Sequence, residues 1–303
     1  MLIVFGSLNV DMVFEVEALP QPGETVLCPG YTLAAGGKGA NQAAAAAKAG
    51  YPVRMVGRVG DDDHGRFARA SLDAAGVDTR GVLPSVRATG VAVIGVDAQA
   101  ENQIIVASGA NLETSADQLP DAALGPGTSL LCQNEVPAAA TFDLLKRARG
   151  QGARTVLNLA PAAPVPDDVL DALDLLVVNE HEARAAAGGA EGGPEALARA
   201  LHQRHGLTCV VTLGGAGSLA VGHEGGCQVA ALPVQAVDTT GAGDTFAGVL
   251  AGALGSGQGF ADALRRASVA AGLACTGIGA QTAQPDAAAI EAALGSLPPP
   301  VEI

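Results

Sequence analysis

The sequence predicts an α/β protein: a mainly parallel central sheet, helices on both of its faces, and a small additional β-sheet. Short apolar runs and helical patterns alternate over most of the chain. Two β-rich runs, 89–96 and 103–107, follow one another without a helix between them, which indicates a hairpin. The chain is also rich in Ala and Gly and only 3% aromatic, which favours close packing of helices on a sheet.

The regular alternation begins at residue 128. Strands are predicted at 129–132, 155–159, 175–178, 209–213 and 218–221, and helical patterns at 138–148, 180–187, 194–205, 242–254, 260–275 and 286–294. Strands that alternate with helices in this way form parallel sheets.

The first part of the chain predicts both sheets. A buried strand at 2–7, an Ala-rich helix within 36–50, a strand at 53–59 and a helix at 63–75 belong to the main layer. The small sheet is expected to take 14–16 and 26–33 together with the hairpin runs. The Pro-rich end, 297–303, is expected to be a frayed terminus.

The charge and cysteine content narrow the class of protein. The net charge of −14 argues against a nucleic-acid binder, which needs a basic face. No stretch of about 20 apolar residues is free of polar breaks, so no membrane span is expected. The start of the chain shows no leader peptide, and the five cysteines include no CxxC pair, which predicts a cytoplasmic protein with reduced thiols.

Several common catalytic motifs are absent. A Walker A loop requires Ser or Thr after the lysine, but Lys38 is followed by Gly39. No GxGxxG follows the first strand, and no GxSxG is present. His202 and His205 have HxxH spacing but lack further ligand residues, so we interpret them as helix surface residues.

The run from Asp238 to Phe246, DTTGAGDTF, is the strongest candidate for chemistry. Gly241, Ala242 and Gly243 lie where a loop becomes a helix, so their N–H groups are expected to form an anion hole at its positive end. Asp244, in the first helical turn, is the candidate general base for an attacking hydroxyl. A helix N-terminus favours an ionised carboxylate, so Asp244 is expected to be a weak base, which a loose phosphoryl-transfer transition state tolerates.

Five motifs in order along the whole chain resemble those of the ribokinase family of PfkB sugar kinases. They are GSLNVD at 6–11, GGKGANQ at 36–42, NEHE at 179–182, TLGGAG at 212–217 and DTTGAGDTF at 238–246. Each is moderately specific alone, and five in the same order are highly specific.

The resemblance implies the roles of individual residues. The sugar would contact Asn9, Asp11, Gly37, Lys38, Asn41, Glu135 and Asp244. The nucleotide would contact Asn179, Thr212, Leu213, Gly214, Gly215, Ala216, Gly217, Gly243 and Ser268. Ser268 stands where the family often has a larger residue against the adenine.

The resemblance also implies two metal ions. Mg²⁺ would accompany ATP and be organised through water by Glu182 together with Asn179. A monovalent cation, K⁺ by preference, would be held by Asp238, Thr240, Ala274, Gly277, Gly279 and Ala283. Ala283 departs from the serine expected there, so one ligand falls to water or backbone.

We therefore expect a single ribokinase-like domain with lid insertions at about 11–34 and 87–108, paired in a homodimer through the lid. The expected reaction transfers the γ-phosphate of ATP to O5 of D-ribose. A kinase of the same family acting on a ketohexose, deoxyribose or a nucleoside is one alternative. A catalytically inactive sugar-binding or regulatory protein is another.

Overall fold

Two β-sheets organise the protein, and the computed structural model describes residues 1–99 and 101–303. The strands are β1 (Leu2–Phe5), β2 (Asn9–Glu15), β3 (Thr32–Gly36), β4 (Val53–Gly60), β5 (Asp78–Ser85), β6 (Gly90–Val96), β7 (Asn102–Ala107), β8 (Ser129–Cys132), β9 (Arg154–Asn158), β10 (Leu175–Asn179), β11 (Thr208–Thr212), β12 (Ser218–Gly222), β13 (Gly225–Val229) and β14 (Val301–Glu302). The α-helices are α1 (Lys38–Lys48), α2 (Asp63–Ala74), α3 (Ala138–Gly150), α4 (Asp167–Leu170), α5 (Glu180–Ala186), α6 (Pro194–His205), α7 (Ala242–Gly255), α8 (Phe260–Ala274) and α9 (Ala287–Leu294).

The main sheet has the strand order β14-β13-β12-β11-β10-β9-β8-β1-β4-β5 among the described residues. The strands from β11 to β5 pair in parallel. The last three, β12 to β14, extend the sheet in antiparallel fashion. The predicted fold class is therefore confirmed.

Side chains of β1 divide between the two faces of the main sheet, as the two-residue period of a strand requires. Leu2 and Val4 pack into the core under α1, α7 and α8, whereas Ile3 and Phe5 pack into the core under α3 and α6. Burial on both faces explains why these strands read as continuous apolar runs.

Helices α1 and α7 approach each other closely because their contact is built from small residues. A Cβ atom added at Gly248 would lie 2.2 Å from the carbonyl oxygen of Gln42. This close approach holds the beginnings of both helices together at one edge of the main sheet.

The small sheet, which we call the lid sheet, has the order β3-β2-β6-β7. Strands β6 and β7 pair as the predicted hairpin, and β2 pairs parallel to β6. Asn9 lies opposite both Gly36 and Gly90, at the end of the lid sheet that adjoins the main sheet. Its role as a lid, and the predicted insertion bounds 11–34 and 87–108, stay predictions.

Two local predictions were wrong, and strand β5 was not predicted. The strand expected at 26–33 begins only at Thr32, after a segment that contains Pro29 and Gly30. Strand β5 was missed because Gly81 and Pro84 interrupt its pattern. The Pro-rich end is not wholly frayed, because Val301 and Glu302 pair with β13.

No helix in the described parts of the chain has the length and apolar character needed to cross a bilayer.

Candidate active site

Polar side chains gather where parallel strands of the main sheet end. Glu135 follows β8, Asn158 ends β9, and Asn179 ends β10, while Asn9 opens β2 shortly after β1. Carboxyl ends of parallel strands share one edge of a sheet, which is where ligands of open α/β folds bind. The beginnings of α1 and α7 close the same edge.

The turn before α1 brings its backbone against the loop after β1. Gly37 has φ +89°, and an added Cβ there would lie 2.8 Å from the amide nitrogen of Asn9, so only glycine fits without strain. The N–H of Lys38 donates to Glu135 Oε2 at 3.0 Å, and Ser7 Oγ donates to the same oxygen at 2.6 Å. Glu135 therefore fixes the start of α1 against the loop after β1.

Asp244 lies in the first turn of α7 and is only 8% exposed. Its Oδ2 accepts a hydrogen bond from Asn41 Nδ2 at 3.0 Å, and its Oδ1 accepts one from Gln42 Nε2 at 2.9 Å. Two neighbouring residues of α1 thus hold the carboxylate that the sequence identifies as the candidate base.

The expectation that Asp244 is a weak base was wrong in direction. Burial raises the pKa of this carboxyl above its usual range, and the nearby Lys38 charge and the bonds from Asn41 and Gln42 only partly offset the effect. Desolvation thus outweighs the helix end that the sequence argument relied on, so Asp244 is a better proton acceptor than expected.

The loop before α7 turns at Gly241, which has φ +76° and lies against Ala280. A Cβ added at Gly243 would meet open space. The N–H of Ala242 donates to the Thr239 carbonyl over 3.2 Å, so an anion would have to displace that long bond. N–H groups in the first turn of a helix lack intrahelical acceptors, so an anion fits here.

Two neighbouring cavities flank this cluster. The smaller, of about 160 Å³, is lined by Lys38, Asn158, Ala160, Val177, Asn179, Glu182, Thr212, Gly241, Gly243 and Asp244. The larger, of about 380 Å³, is lined by Asn9, Val106, Ser108, Asn111, Leu112, Asn134, Glu135, Val136, Pro137 and Pro161. The hydrogen bond from Lys38 to Glu135 joins the walls of the two.

Asn9 and Asp11 lie on the same face of β2, two residues apart. Asn9 Oδ1 accepts a hydrogen bond from Asn111 Nδ2 at 2.8 Å, which leaves the Asn9 amide nitrogen to donate. Burial, followed by the charges of Glu135 and Asp244, raises the pKa of Asp11 to about 6. Asp11, Glu135 and Asp244 therefore lie close enough for their charges to interact, which favours a ligand rich in hydroxyl donors.

Glu182 and Asn179 cap each other at the start of α5. The Asn179 N–H donates to Glu182 Oε2 at 2.8 Å, and the Glu182 N–H donates to Asn179 Oδ1 at 2.9 Å. Burial raises the pKa of Glu182, and the Lys38 charge opposes that rise.

No group of three or more acid, His or Cys side chains suited to a metal occurs among residues 1–99 and 101–303. Two carboxylates, Glu182 and Asp244, line the smaller cavity, and so few acidic ligands fit Mg²⁺ that keeps its waters and takes phosphate oxygens as ligands.

The residues predicted to contact the nucleotide do not all reach a cavity. Thr212 lines the smaller one, whereas the turn from Gly214 to Gly217 follows β11 and is largely exposed. Ser268 is buried in α8, with its hydroxyl 3.5 Å from that of Ser218, and lines neither cavity.

The residues predicted for a monovalent cation come from two loops that meet. Asp238 Oδ1 accepts from the Thr240 N–H and its Oδ2 accepts from the Gly279 N–H, each at 2.9 Å. A Cβ added at Gly277 would lie 3.1 Å from that of Ala283. Ala274 ends α8 shortly before this loop, so the residues predicted for the cation come from the segment at 238–240 and from the segment that follows α8.

Three buried amides at the site were missed by the sequence analysis: Gln42, Gln133 and Asn158. Gln42 Nε2 donates to Asn158 Oδ1 at 2.9 Å as well as to Asp244, and its Oε1 accepts from Gln133 Nε2 at 2.7 Å. The available signals were the motif at 36–42, which ends in Gln42, and the place of that Gln in an Ala-rich helix, where a buried amide must find polar partners.

Comparisons with known proteins identify relatives of the whole chain. Residues 1–287 match the family model described as pfkB family carbohydrate kinase. A ribokinase of Haemophilus influenzae is 35% identical over 291 residues, which cover 94% of this chain and 95% of that protein.

Solved structures agree in fold. A ribokinase from Thermotoga maritima superposes with a TM-score of 0.90 at 32% identity, covering 97% of this chain and 99% of that one. An Arabidopsis thaliana ribokinase complexed with ribose and ATP gives 0.88 at 33% identity, covering 97% and 98%.

Proposed function

The chain belongs to the pfkB family of carbohydrate kinases, and on that premise we propose that it is a ribokinase that transfers the γ-phosphate of ATP to O5 of D-ribose. Members of this family are phosphotransferases that act on a sugar hydroxyl. The observation that carries the choice of ribose is the likeness, over almost the whole chain, to a ribokinase that binds ribose and ATP.

In the proposed reaction, Asp244 accepts the proton of the sugar O5 hydroxyl while that oxygen attacks the γ-phosphorus. The bond from phosphorus to the β–γ bridging oxygen breaks, and ADP leaves. A buried carboxylate whose pKa is raised suits this role, because a base works best when its pKa approaches the working pH. Asp244 lines the smaller cavity and is held by Asn41, which supports this assignment.

The sugar is proposed to lie between Asp11 and Asp244, at the junction of the two cavities. Asn9, Asp11, Gly37, Lys38, Asn41 and Glu135 would surround it. Fixed amide donors and carboxylate acceptors discriminate among sugars, because a hydroxyl that is missing or inverted leaves a buried polar group without its partner. Asn9, oriented by Asn111, is an example of such a fixed donor.

The triphosphate is proposed to run from the turn at Thr212–Gly217 to the start of α7. The N–H groups of Gly241, Ala242 and Gly243 would receive the γ-phosphate at the positive end of the helix. When Mg²⁺ is bound with ATP, it neutralises charge on the phosphate oxygens. Glu182 and Asn179 would hold its waters, and Lys38 would add a positive charge from the opposite wall of the cavity.

A monovalent cation, K⁺ by preference, is proposed beside the loop that leads into α7. Asp238 joins that loop to the one at Gly277–Ala283 through the Gly279 amide. A cation there would stiffen both loops and so steady the Gly241–Gly243 amides. Ala283 offers no hydroxyl ligand, so water or backbone would complete the shell.

We also propose a homodimer that pairs through the lid sheet. Every residue of β7 is exposed, and its Ile104, Ile105 and Val106 form an apolar stretch on an edge strand. Such an edge invites pairing, and a second copy of the same sheet would cover it.

The proposal is tested by measuring ADP release over a panel of ribose, fructose, deoxyribose and adenosine, each with and without K⁺. We expect the highest kcat/KM with ribose and a stimulation by K⁺. If fructose or a nucleoside is turned over and ribose is not, the assignment of ribose as the substrate is wrong, and the protein is a kinase of the same family with another specificity. Binding of a sugar without any ADP release would instead indicate a sugar-binding protein.

A further inference from the structure

Gln42 is a fully buried side chain that contacts the candidate base without lining either cavity. It follows Asn41 on α1, and its Nε2 donates to both Asp244 Oδ1 and Asn158 Oδ1 at 2.9 Å. Both protons of its amide are thus used inside the protein, and neither is available to a substrate.

The orientation of this amide is fixed from its other end. Gln133 Nε2 donates to Gln42 Oε1 at 2.7 Å, which requires the Gln42 oxygen to face Gln133 and its NH₂ group to face Asp244. Asn158 agrees with this assignment, because its own NH₂ group donates to the Val177 carbonyl and its oxygen therefore faces Gln42. If the Gln42 amide were reversed, its oxygen would face the Asp244 carboxylate and its NH₂ group would face the NH₂ group of Gln133.

The backbone fixes the position of Gln42 relative to Asp244. The close contact of Gly248 with the Gln42 carbonyl fixes α7 against α1 one turn beyond Asp244. Because this contact fixes the two helices relative to each other, the Gln42 amide is held at a set position beside the carboxylate.

We propose that Gln42 is a positioning residue for phosphoryl transfer. It holds Asp244 Oδ1 within the protein and leaves Oδ2, beside Asn41, as the oxygen that accepts the proton of the sugar hydroxyl. This inference rests on the proposed role of Asp244 as the base. Gln133 acts one step further away, by orienting Gln42.

The charged groups that surround Asp244 would be unchanged in a Gln42 variant. They are Lys38 on α1, Glu135 after β8, Asp11 on β2 and Glu182 on α5. Since the hydrogen bond from Gln42 favours the ionised carboxylate, its loss raises the pKa of Asp244 further. A base must be ionised to act, so the acidic limb of the kcat profile moves to higher pH.

The experiment measures kcat for ribose, at saturating ribose and ATP, as a function of pH in Gln42→Met, Gln133→Met and Gln118→Met. Saturation matters because kcat reports groups in the ternary complex, whereas ionisation of Asp11 acts on sugar binding. Methionine is unbranched and of similar length, which limits the change in packing. Gln118 is the matched control, because its amide bonds to the Gly57 carbonyl and contacts nothing at the site.

We expect the acidic limb to move up by about one pH unit in Gln42→Met, by less in Gln133→Met, and not at all in Gln118→Met. If kcat of Gln42→Met falls while the acidic limb of its pH profile stays in place, the inference is overturned. A purely structural role would lower kcat by the same factor at every pH. If Gln42→Met does not fold, an unmoved limb in Gln133→Met overturns it equally. An Asp244→Asn enzyme with full turnover would sink the proposed base itself, which is a separate outcome.

Discussion

Asp11 is a single residue of the candidate site whose ionisation lowers the stability of the fold. Its carboxyl is buried near Glu135 and Asp244, and its pKa is raised to about 6. A carboxyl whose folded pKa exceeds the unfolded value destabilises the fold when it is ionised. That cost is absent below the unfolded pKa of 3.8, grows as the pH rises, and is complete above pH 6.

Asp11→Asn is therefore expected to stabilise the protein while it weakens sugar binding. The gain should approach about 3 kcal/mol at pH 8, at 1.36 kcal/mol per pKa unit, and should shrink at pH 5. Thermal unfolding at both pH values measures it, and KM for ribose, which should rise at least about tenfold, measures the binding cost. Equal Tm changes at pH 5 and pH 8 would contradict the assigned ionisation.

Single residues also mark the limit of sequence reasoning. Asn41 and Asp244 could be found because each lies in a motif whose glycines indicate a turn near a ligand. Gln42 lies in the motif at 36–42 too, but its role depends on contacts with Asn158 and Asp244 that join α1, β9 and α7 and that only the tertiary structure shows. The weak-base expectation for Asp244 failed for the same reason, because helix position is local and burial is not.

At the scale of elements, the lid sheet carries the proposed dimer contact. Strand β7 is exposed along its whole length, with Ile105 73% exposed. Its Ile104, Ile105 and Val106 side chains are each more than half exposed, and a second copy of the sheet would bury them.

Ile105→Lys should therefore convert a dimer into a monomer, because it places a charge in the proposed contact. Sedimentation equilibrium measures the change. Val86→Lys is the matched control, since Val86 is 97% exposed but lies outside the strands of the lid sheet, and it should leave the dimer intact. A wild-type chain that is already monomeric, or an Ile105→Lys chain that stays dimeric, contradicts pairing through β7.

Elements with clean periodicity were predictable, and those whose pattern is interrupted were not. The Ala-rich α1 and the apolar β1 and β10 follow from local composition, because each buries a continuous stripe or both faces. Strand β5 contains Gly81 and Pro84, which local rules assign to turns, yet it lies at the edge of the sheet where a proline is tolerated.

At the scale of the whole molecule, two distant parts of the chain build one site. Asn41 and Asp244 are 203 positions apart, and a 3.0 Å hydrogen bond joins them. The strand order that places β1 beside both β8 and β4 makes this possible, because it brings α1 and α7 to the same edge of the sheet. The alternation of strands and helices was enough to predict the fold class. The contact between α1 and α7 depends on the packing of glycine against backbone and was not predictable from pattern alone.

The net charge of −14 shows why the distribution of charge matters more than its total. Many acids lie on the surface, and some of them form ion pairs, such as Asp121 with Arg147 and Asp168 with Lys146. The proposed anion site would depend instead on Lys38 and on backbone N–H groups at the start of α7, which the total charge does not reflect.

The most direct test of the account is turnover of Asp244→Asn with ribose and ATP, compared with Asp262→Asn. Asp262 also lies in the first turn of a helix, α8, but is exposed and lines neither cavity, so it controls for the loss of a helix-terminal charge. We expect kcat to fall by about 10²–10⁴-fold in Asp244→Asn alone, while ribose affinity measured by calorimetry stays within about tenfold. Wild-type turnover in Asp244→Asn would contradict the account.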